Sequence, residues 1–176
     1  MSAEAAERAA RVSLLIVDVD GVMTDGRIIL DSDRGEYKAF HVRDGHGIKM
    51  LQREGVKVAI ITGRNSDVVN RRAAELGIDI VVQGSKDKIK DYLKIIAELG
   101  LRDEEVAYIG DDIVDIPVMR RVGLPVAVAD AEEYVREQAV LVTERGGGRG
   151  AVREMTDMIL KAKGLWDDAT RKYYKA

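Results

Sequence analysis

The sequence contains no cysteine, and it has only two histidines and two prolines among its 176 residues. The absence of cysteine excludes disulfides, thiolate catalysis and a cysteine-ligated zinc site. Two histidines leave little room for a metal site built on imidazole. Any bound metal is therefore expected to be a hard cation held by oxygen atoms.

Long apolar runs and basic stripes are also missing. No apolar segment approaches the roughly 18 residues that a membrane-spanning helix needs. The first ten residues are rich in Ala, Glu and Arg and lack the apolar core of an export signal. The net charge is -3, without a basic stripe. We therefore expect a cytoplasmic protein that binds neither membranes nor nucleic acid.

Apolar runs that are typical of strands alternate with amphipathic helical segments along the chain. The predicted strands are 14–17, 56–61, 78–82, 106–109, 125–129 and 140–142. This alternation predicts an α/β fold with a doubly wound, mostly parallel, Rossmann-like sheet. No linker or repeat interrupts the pattern, so residues 1–176 are expected to form a single domain.

Two segments fall outside the alternation. Residues 27–40 hold two short apolar runs around turn residues, which predicts a β-hairpin flap. A lone hairpin is marginally stable, so this one should pack on something, such as another subunit. Residues 164–176 form a C-terminal tail.

The first strand ends on two acidic residues, Asp18 and Asp20. Residues two apart in an extended chain point to the same side, and ligands of open α/β sheets bind at the carboxyl ends of the strands. Two like charges at a buried strand end repel each other, so a bound cation would stabilise them. The alternative is an ordinary strand-end turn at Asp20 and Gly21.

Polar residues follow three further strands: Thr62, the segment around Lys88, and the pair Asp111 and Asp112. In a doubly wound sheet these ends meet in one crevice. Carboxylates, a hydroxyl and an ammonium suit metal-assisted phosphoryl transfer, with a carboxylate as nucleophile and Mg²⁺ as the cation.

Lys88 lies near the start of a predicted helix that Ser85 would cap. The helix dipole disfavours a cation at this position. A lysine there is reasonable if its ammonium neutralises a phosphate or carboxylates. The alternative is a solvated lysine face.

These motifs resemble those of the haloacid dehalogenase-like phosphatases. The matching segments are Asp18-Val-Asp-Gly-Val-Met-Thr-Asp, Thr62, Lys88 and Gly110-Asp-Asp-Ile-Val-Asp115. Further matches at 38–45, 61–64 and 147–154 resemble a capless subgroup that hydrolyses 3-deoxy-D-manno-octulosonate 8-phosphate, an eight-carbon sugar acid phosphate of lipopolysaccharide biosynthesis.

The resemblance implies catalytic and metal-binding roles. Asp18 would be the nucleophile and a Mg²⁺ ligand, and Asp20 the general acid and base, with its carbonyl on the metal. Thr62 and Lys88 would bind the phosphoryl group. Asp111 would complete the metal site, and the supporting acids are Asp112 and Asp115.

The resemblance also implies a substrate site and an assembly. The matching substrate-binding positions are Asp20, His41, Val42, Arg43, Asp44, Gly45, Lys49, Thr62, Gly63, Arg64, Arg72 and Lys88. Arginines suit a substrate with a carboxylate and a phosphate, although Arg72 could equally form a surface ion pair. His41 is a departure, since the resemblance implies Asn there. The relatives are homotetramers whose hairpin reaches a neighbouring subunit.

Other functions stay open at this point. One is a phosphatase for a nine-carbon sialic-type sugar acid 9-phosphate, in which Glu is expected in place of Arg64; another is a broad sugar phosphatase. A receiver-like phospho-switch would carry its phosphorylated Asp after the third strand, where this chain has Val82-Gln-Gly84. An inactive tetramer-forming module is disfavoured because every catalytic position is occupied.

Overall fold

The computed structural model of the chain describes residues 2–33 and 35–175. Met1, Arg34 and Ala176 belong to the predicted domain, and Arg34 also to the predicted hairpin; they lie outside the described residues. The strands are β1 (Leu14–Val17), β2 (Ile29–Leu30), β3 (Glu36–Tyr37), β4 (Lys57–Ile61), β5 (Ile80–Val82), β6 (Val106–Gly110), β7 (Leu124–Ala127) and β8 (Leu141–Val142).

Six of these strands form one sheet in the order β5-β4-β1-β6-β7-β8, and every neighbouring pair is parallel. The predicted doubly wound α/β sheet is confirmed, and it is wholly parallel within the described residues. All four residues of β1 are buried, because β1 lies centrally and helices cover the sheet.

The helices are α1 (Ala3–Ala10), α2 (Val42–Arg53), α3 (Asp67–Leu76), α4 (Lys88–Leu99), α5 (Ile116–Met119), α6 (Glu133–Arg136), α7 (Ala151–Ala162) and α8 (Trp166–Tyr174). The helices α1 and α2 both pack against α7, and α4 packs against α5. No helix in the described part of the chain is long and apolar enough to cross a membrane.

Two helix starts differ from the prediction. The helical pattern of the sequence starts at His46, which predicts a helix from that residue. In the structure the helix begins at Val42, because the Nδ1 atom of His41 caps it by accepting the Arg43 N–H at 3.2 Å. The predicted Ser85 cap of α4 is wrong. Asp87 caps this helix, and the Ser85 hydroxyl donates to Asp91 at 2.6 Å.

The strand order reverses beside β1. The chain runs from β1 outward to β4 and β5, and α4 then returns it to β6 on the opposite side of β1. A crevice forms at such a switch point, at the carboxyl ends of the strands. Residues following β1, β4 and β6 therefore lie around one site.

The predicted hairpin is confirmed as a separate antiparallel pair of short strands. Ile29 lies opposite Tyr37, and Leu30 opposite Glu36. This hairpin lies between β1 and α2 in the chain. The C-terminal helix α8 packs on α7 and α2.

Candidate active site

A buried ion cluster lies where β1 and β6 end. Asp18, Lys88 and Asp115 are 5%, 5% and 0% exposed. The Nζ atom of Lys88 is 3.1 Å from Asp18 Oδ1 and 2.6 Å from Asp115 Oδ1. Lys88 is the first residue of α4, so the start of this helix places the Lys88 ammonium between two carboxylates.

Asp115 is saturated by donors of the protein. It accepts the Tyr108 hydroxyl at 2.5 Å and the backbone N–H groups of Asp111 and Asp112 at 3.0 and 3.2 Å. These contacts fix the turn after β6, and Asp115 thereby orients Lys88. Asp112 is exposed, and it accepts the N–H of Ile113 at 2.7 Å.

Two carboxylates of the site lack such compensation. Asp111 Oδ1 is buried without a hydrogen-bond partner among the described residues, and Asp18 Oδ1 has the ion pair with Lys88 but no well-aligned hydrogen bond. Burial and the neighbouring Asp115 raise the pKa of Asp18 to about 6 against the pull of Lys88. Burial, Asp18 and Asp115 raise the pKa of Asp111 to about 8.

This arrangement fits a divalent cation. Oxygen atoms of Asp18, Asp111 and Asp115 lie within 4.8 Å of one another, and hard oxygen donors suit Mg²⁺. Asp115 is already engaged by four donors, so Asp18 and Asp111 are the carboxylates free to bind the ion. We call the set Asp18, Lys88, Tyr108, Asp111 and Asp115 the buried cluster.

The turn after Asp18 depends on two glycines. Gly21 has a φ of +89°, and a Cβ there would lie 2.0 Å from Asp111 Oδ2. Gly147, in the glycine-rich segment before α7, approaches so closely that a Cβ would lie 1.7 Å from the Gly21 carbonyl oxygen. The Asp130 carboxylate accepts the Gly147 N–H at 2.9 Å. The glycines thus allow three backbone segments to meet beside Asp111.

Asp20 lies outside the buried cluster, in a ring of alternating charges with the hairpin. Lys38 donates to Asp20 Oδ1 and lies 3.6 Å from Glu36 Oε1. Arg64 donates to Glu36 at 2.8 Å, and its Nε is 3.6 Å from Asp20 Oδ2. We call Asp20, Lys38, Glu36 and Arg64 the hairpin ring.

Thr62 and Gly63 follow β4 between these two groups of charges. Thr62 is 2% exposed. Gly63 and Lys88 border a cavity of about 210 Å³, which extends to Val114 and Pro117. A polar group can therefore approach Lys88 through this opening.

The predicted substrate-binding residues on α2 and α3 contact residues outside the buried cluster and the hairpin ring. Asp44 is buried and accepts the Arg153 N–H at the start of α7 at 2.8 Å. Gly45 lies against Arg72, since a Cβ there would be 2.3 Å from Nη2. Arg72 pairs with Glu75 at 2.8 Å, and its guanidinium is 5.6 Å from the Phe40 ring centroid.

The remaining predicted residues of this group are exposed at the surface: Val42, Arg43 and Lys49. Among the described residues, no hydrogen bond or ion pair joins any of the positions 41–45, 49 and 72 to the buried cluster or the hairpin ring. The structure therefore groups Asp18, Lys88, Asp111 and Asp115, and separately Asp20 with Arg64.

The sequence interpretation missed Glu36, Lys38 and Tyr108 as site residues. Glu36 and Lys38 flank Tyr37, and the alternation of a strand predicts that both face one side. That signal was present in the sequence, although it does not reveal that the side faces Asp20. Tyr108 reads as an ordinary core residue of β6.

Comparisons with known proteins agree with this architecture. A family model described as haloacid dehalogenase-like hydrolase matches residues 42–123. The 3-deoxy-D-manno-octulosonate 8-phosphate phosphatase of Yersinia pestis is 51% identical over 164 residues, which cover 93% of this chain and 88% of the relative. The enzyme of that name in Escherichia coli is 46% identical over 96% of this chain and 90% of the relative.

A solved structure is similar over nearly the whole chain. The 3-deoxy-D-manno-octulosonate 8-phosphate phosphatase of Moraxella catarrhalis, in complex with magnesium, phosphate and the sugar acid, aligns with a TM-score of 0.96 at 39% identity. The alignment covers 98% of this chain and 99% of that chain. At these identities and coverages, the chain belongs to the 3-deoxy-D-manno-octulosonate 8-phosphate phosphatase family of the haloacid dehalogenase-like hydrolases.

Proposed function

We propose that this chain is a Mg²⁺-dependent phosphatase that hydrolyses 3-deoxy-D-manno-octulosonate 8-phosphate to the free sugar acid and inorganic phosphate, a step of lipopolysaccharide sugar biosynthesis. The observation that carries the proposal is the buried cluster, in which Lys88 holds Asp18 beside the uncompensated carboxylate of Asp111. Family membership supplies the substrate class.

Asp18 is the proposed nucleophile. Its carboxylate attacks phosphorus, the bond from phosphorus to the sugar oxygen breaks, and Asp20 gives its proton to that oxygen. Asp20 then takes a proton from water, which attacks the aspartyl-phosphate, and the bond between phosphorus and Asp18 breaks. Phosphate leaves and both carboxyl groups return to their starting states.

Three groups would stabilise the negative charge of the transferring group. The Thr62 hydroxyl and the Lys88 ammonium donate to phosphoryl oxygens, since both lie at the strand ends beside Asp18. Asp18, Asp111 and the Asp20 carbonyl would hold Mg²⁺, which when bound offsets the repulsion between carboxylates and phosphate. Asp112 and Asp115 support the turn that carries Asp111.

The substrate contacts rest on the family resemblance and on charge. The Nε atom of Arg64 lies 3.6 Å from Asp20 Oδ2, so we assign Arg64 to the sugar acid close to the scissile bond. The segment His41–Gly45 with Gly63, Lys49 and Arg72 is proposed to contact the rest of the substrate. The arginines suit its carboxylate.

We further propose that the chain acts as a single domain and assembles as a cytoplasmic homotetramer. The hairpin supports the assembly, since Ile29 and Tyr37 lie opposite each other and are 48% and 58% exposed. Nearby Ile28, Leu30 and Val42 are exposed too. A second subunit would cover these apolar side chains and help to exclude water from the site. Light scattering should give the mass of four chains.

Phosphate release tests the activity directly. We expect turnover of 3-deoxy-D-manno-octulosonate 8-phosphate with Mg²⁺, its loss in EDTA and its return with excess Mg²⁺. The nine-carbon sialic acid 9-phosphate and a panel of simple sugar phosphates serve as comparison substrates. Faster turnover of one of these would contradict the assigned substrate, and phosphate release that persists in EDTA would contradict the metal requirement.

A further inference from the structure

Lys38 is a buried lysine that the proposed chemistry does not use. Its side chain is 1% exposed, although it directly follows a two-residue strand of the hairpin. Burying an ammonium is costly unless it is paired and hydrogen-bonded. Lys38 meets that condition through Asp20 and Glu36.

The two oxygens of Asp20 have different surroundings. Oδ1 accepts from Lys38, whereas Oδ2 is 3.6 Å from Arg64 Nε, beyond hydrogen-bond distance. Arg64 donates its own hydrogen bond to Glu36 at 2.8 Å. One oxygen of Asp20 is therefore fixed, and the other has no hydrogen-bond donor among residues 2–33 and 35–175.

The hairpin builds this contact from strand alternation. Glu36 and Lys38 are two residues apart and face the site, while Tyr37 between them faces away and is 58% exposed. Glu36 holds both Lys38 and Arg64, so the three side chains and Asp20 close into one ring. The hairpin is thereby attached to the site of its own chain.

We propose that Lys38 is a positioning residue that fixes the carboxyl group of Asp20, so that Oδ2 is the oxygen that exchanges a proton with the leaving group. Glu36 in turn fixes Lys38. The inference rests on the proposed function, in which Asp20 is the acid and base. Lys38 itself transfers no proton and need not touch the substrate.

Two aryl phosphates of nearly equal size separate this role from a general structural one. The p-nitrophenolate ion leaves readily without protonation, whereas phenolate depends more on an acid. In Lys38→Met we expect kcat/KM for phenyl phosphate, which reports only the steps up to phosphoryl transfer to Asp18, to fall at least about tenfold. On p-nitrophenyl phosphate we expect a fall of less than about twofold. Glu36→Gln, which keeps Lys38 but loosens it, should show the same selectivity to a smaller degree.

Three variants make the outcome decisive. Lys57→Met alters an exposed lysine at the opposite end of β4 and should change neither rate. Asp20→Asn should show the selective loss of kcat/KM at its full size, and Asp18→Asn should be inactive on both substrates. Equal losses on both substrates in Lys38→Met and Glu36→Gln, or no loss, would overturn the positioning role. Full activity of Asp18→Asn would instead overturn the proposed function.

Discussion

The buried cluster and the hairpin ring hold charge in two different ways. In the buried cluster, the side chains come from the ends of parallel strands and the first turn of a helix, and Asp115 alone receives four donors. In the hairpin ring, Arg64 is 45% exposed and each acid is shared between two cations. The cluster, which contains the proposed nucleophile, should therefore be rigid, whereas the ring depends on the position of the hairpin.

Substituting the proposed nucleophile gives the largest expected effect within the cluster. Asp18→Asn keeps the shape of the side chain but removes the attacking carboxylate. Phosphate release should fall by at least ~10³-fold, equivalent to roughly 4 kcal/mol of barrier. Steady-state kinetics at saturating Mg²⁺ would measure it.

Asp112→Asn is the matched control, since Asp112 is exposed and accepts a backbone N–H. This variant should lose much less activity than Asp18→Asn. Equal losses in the two variants would contradict the assignment of Asp18 as the nucleophile.

Removing the ammonium of the cluster should affect both activity and stability. Lys88→Met leaves Asp18 and Asp115 buried without their shared cation, and breaking such a pair costs about 3–5 kcal/mol. We expect a fall of that order in the free energy of unfolding, measured by urea titration. We also expect a loss of roughly 10²-fold in activity, because a donor to the phosphoryl group is removed.

Lys90→Met tests the same chemical change on the exposed side of α4. Its effect on the free energy of unfolding should be within about 0.5 kcal/mol. If Lys88→Met were equally harmless, the buried ion pairs would have no energetic importance.

Alanine substitutions at two glycines can separate the effect of crowding at the proposed metal site from the effect of backbone strain. Gly21 and Gly55 have φ values of +89° and +84°, but a Cβ at Gly55 meets nothing within 4 Å. Both Gly→Ala variants should lose about 1 kcal/mol of stability from the left-handed backbone. Gly21→Ala should in addition require more Mg²⁺ for half-maximal activity, because its Cβ displaces Asp111.

Titration of that Mg²⁺ requirement in the two variants is the measurement. The comparison would fail if Gly55→Ala raised the Mg²⁺ requirement as much as Gly21→Ala.

The last prediction concerns pH in the metal-free protein. The pKa values of Asp18 and Asp111 are about 6 and about 8 in the folded chain, against 3.8 for a free side chain. The folded state therefore binds more protons than the unfolded state, so the free energy of unfolding should fall as the pH rises from about 4 through 8.

Saturating Mg²⁺ should weaken this pH dependence, since the ion takes the place of the protons. Urea unfolding at several pH values, in EDTA and in Mg²⁺, would measure both slopes. A metal-free protein whose stability rises over this pH range would contradict the assigned surroundings of the two carboxylates.

The contrast between the buried cluster and the hairpin ring also explains which parts of the site the sequence could predict. Asp18, Thr62 and Asp111 directly follow apolar strand segments. A parallel sheet brings the carboxyl ends of its strands together regardless of the conformation of the loops. The strand boundaries were accordingly predicted to within two residues. The contact between Lys38 and Asp20 depends on how a hairpin folds back over 18 residues, which local patterns do not specify.

The predictions of two helix starts were wrong for a related reason. An imidazole at His41 caps α2, which is an unusual N-cap, and Asp87 competes successfully with Ser85 two residues earlier. Both choices depend on which donor and acceptor meet in the folded chain. The exposed positions of α2 likewise give no local signal for the surface that they face.

The most direct test of the account is to trap the covalent intermediate. Wild type and Asp20→Asn would be mixed with 3-deoxy-D-manno-octulosonate 8-phosphate and Mg²⁺, quenched in acid within milliseconds, and analysed by peptide mass spectrometry. The account predicts one added phosphoryl group on the peptide that contains Asp18, absent in EDTA and in Asp18→Asn. Turnover without any phosphorylated Asp18, or phosphorylation of another residue, would contradict it.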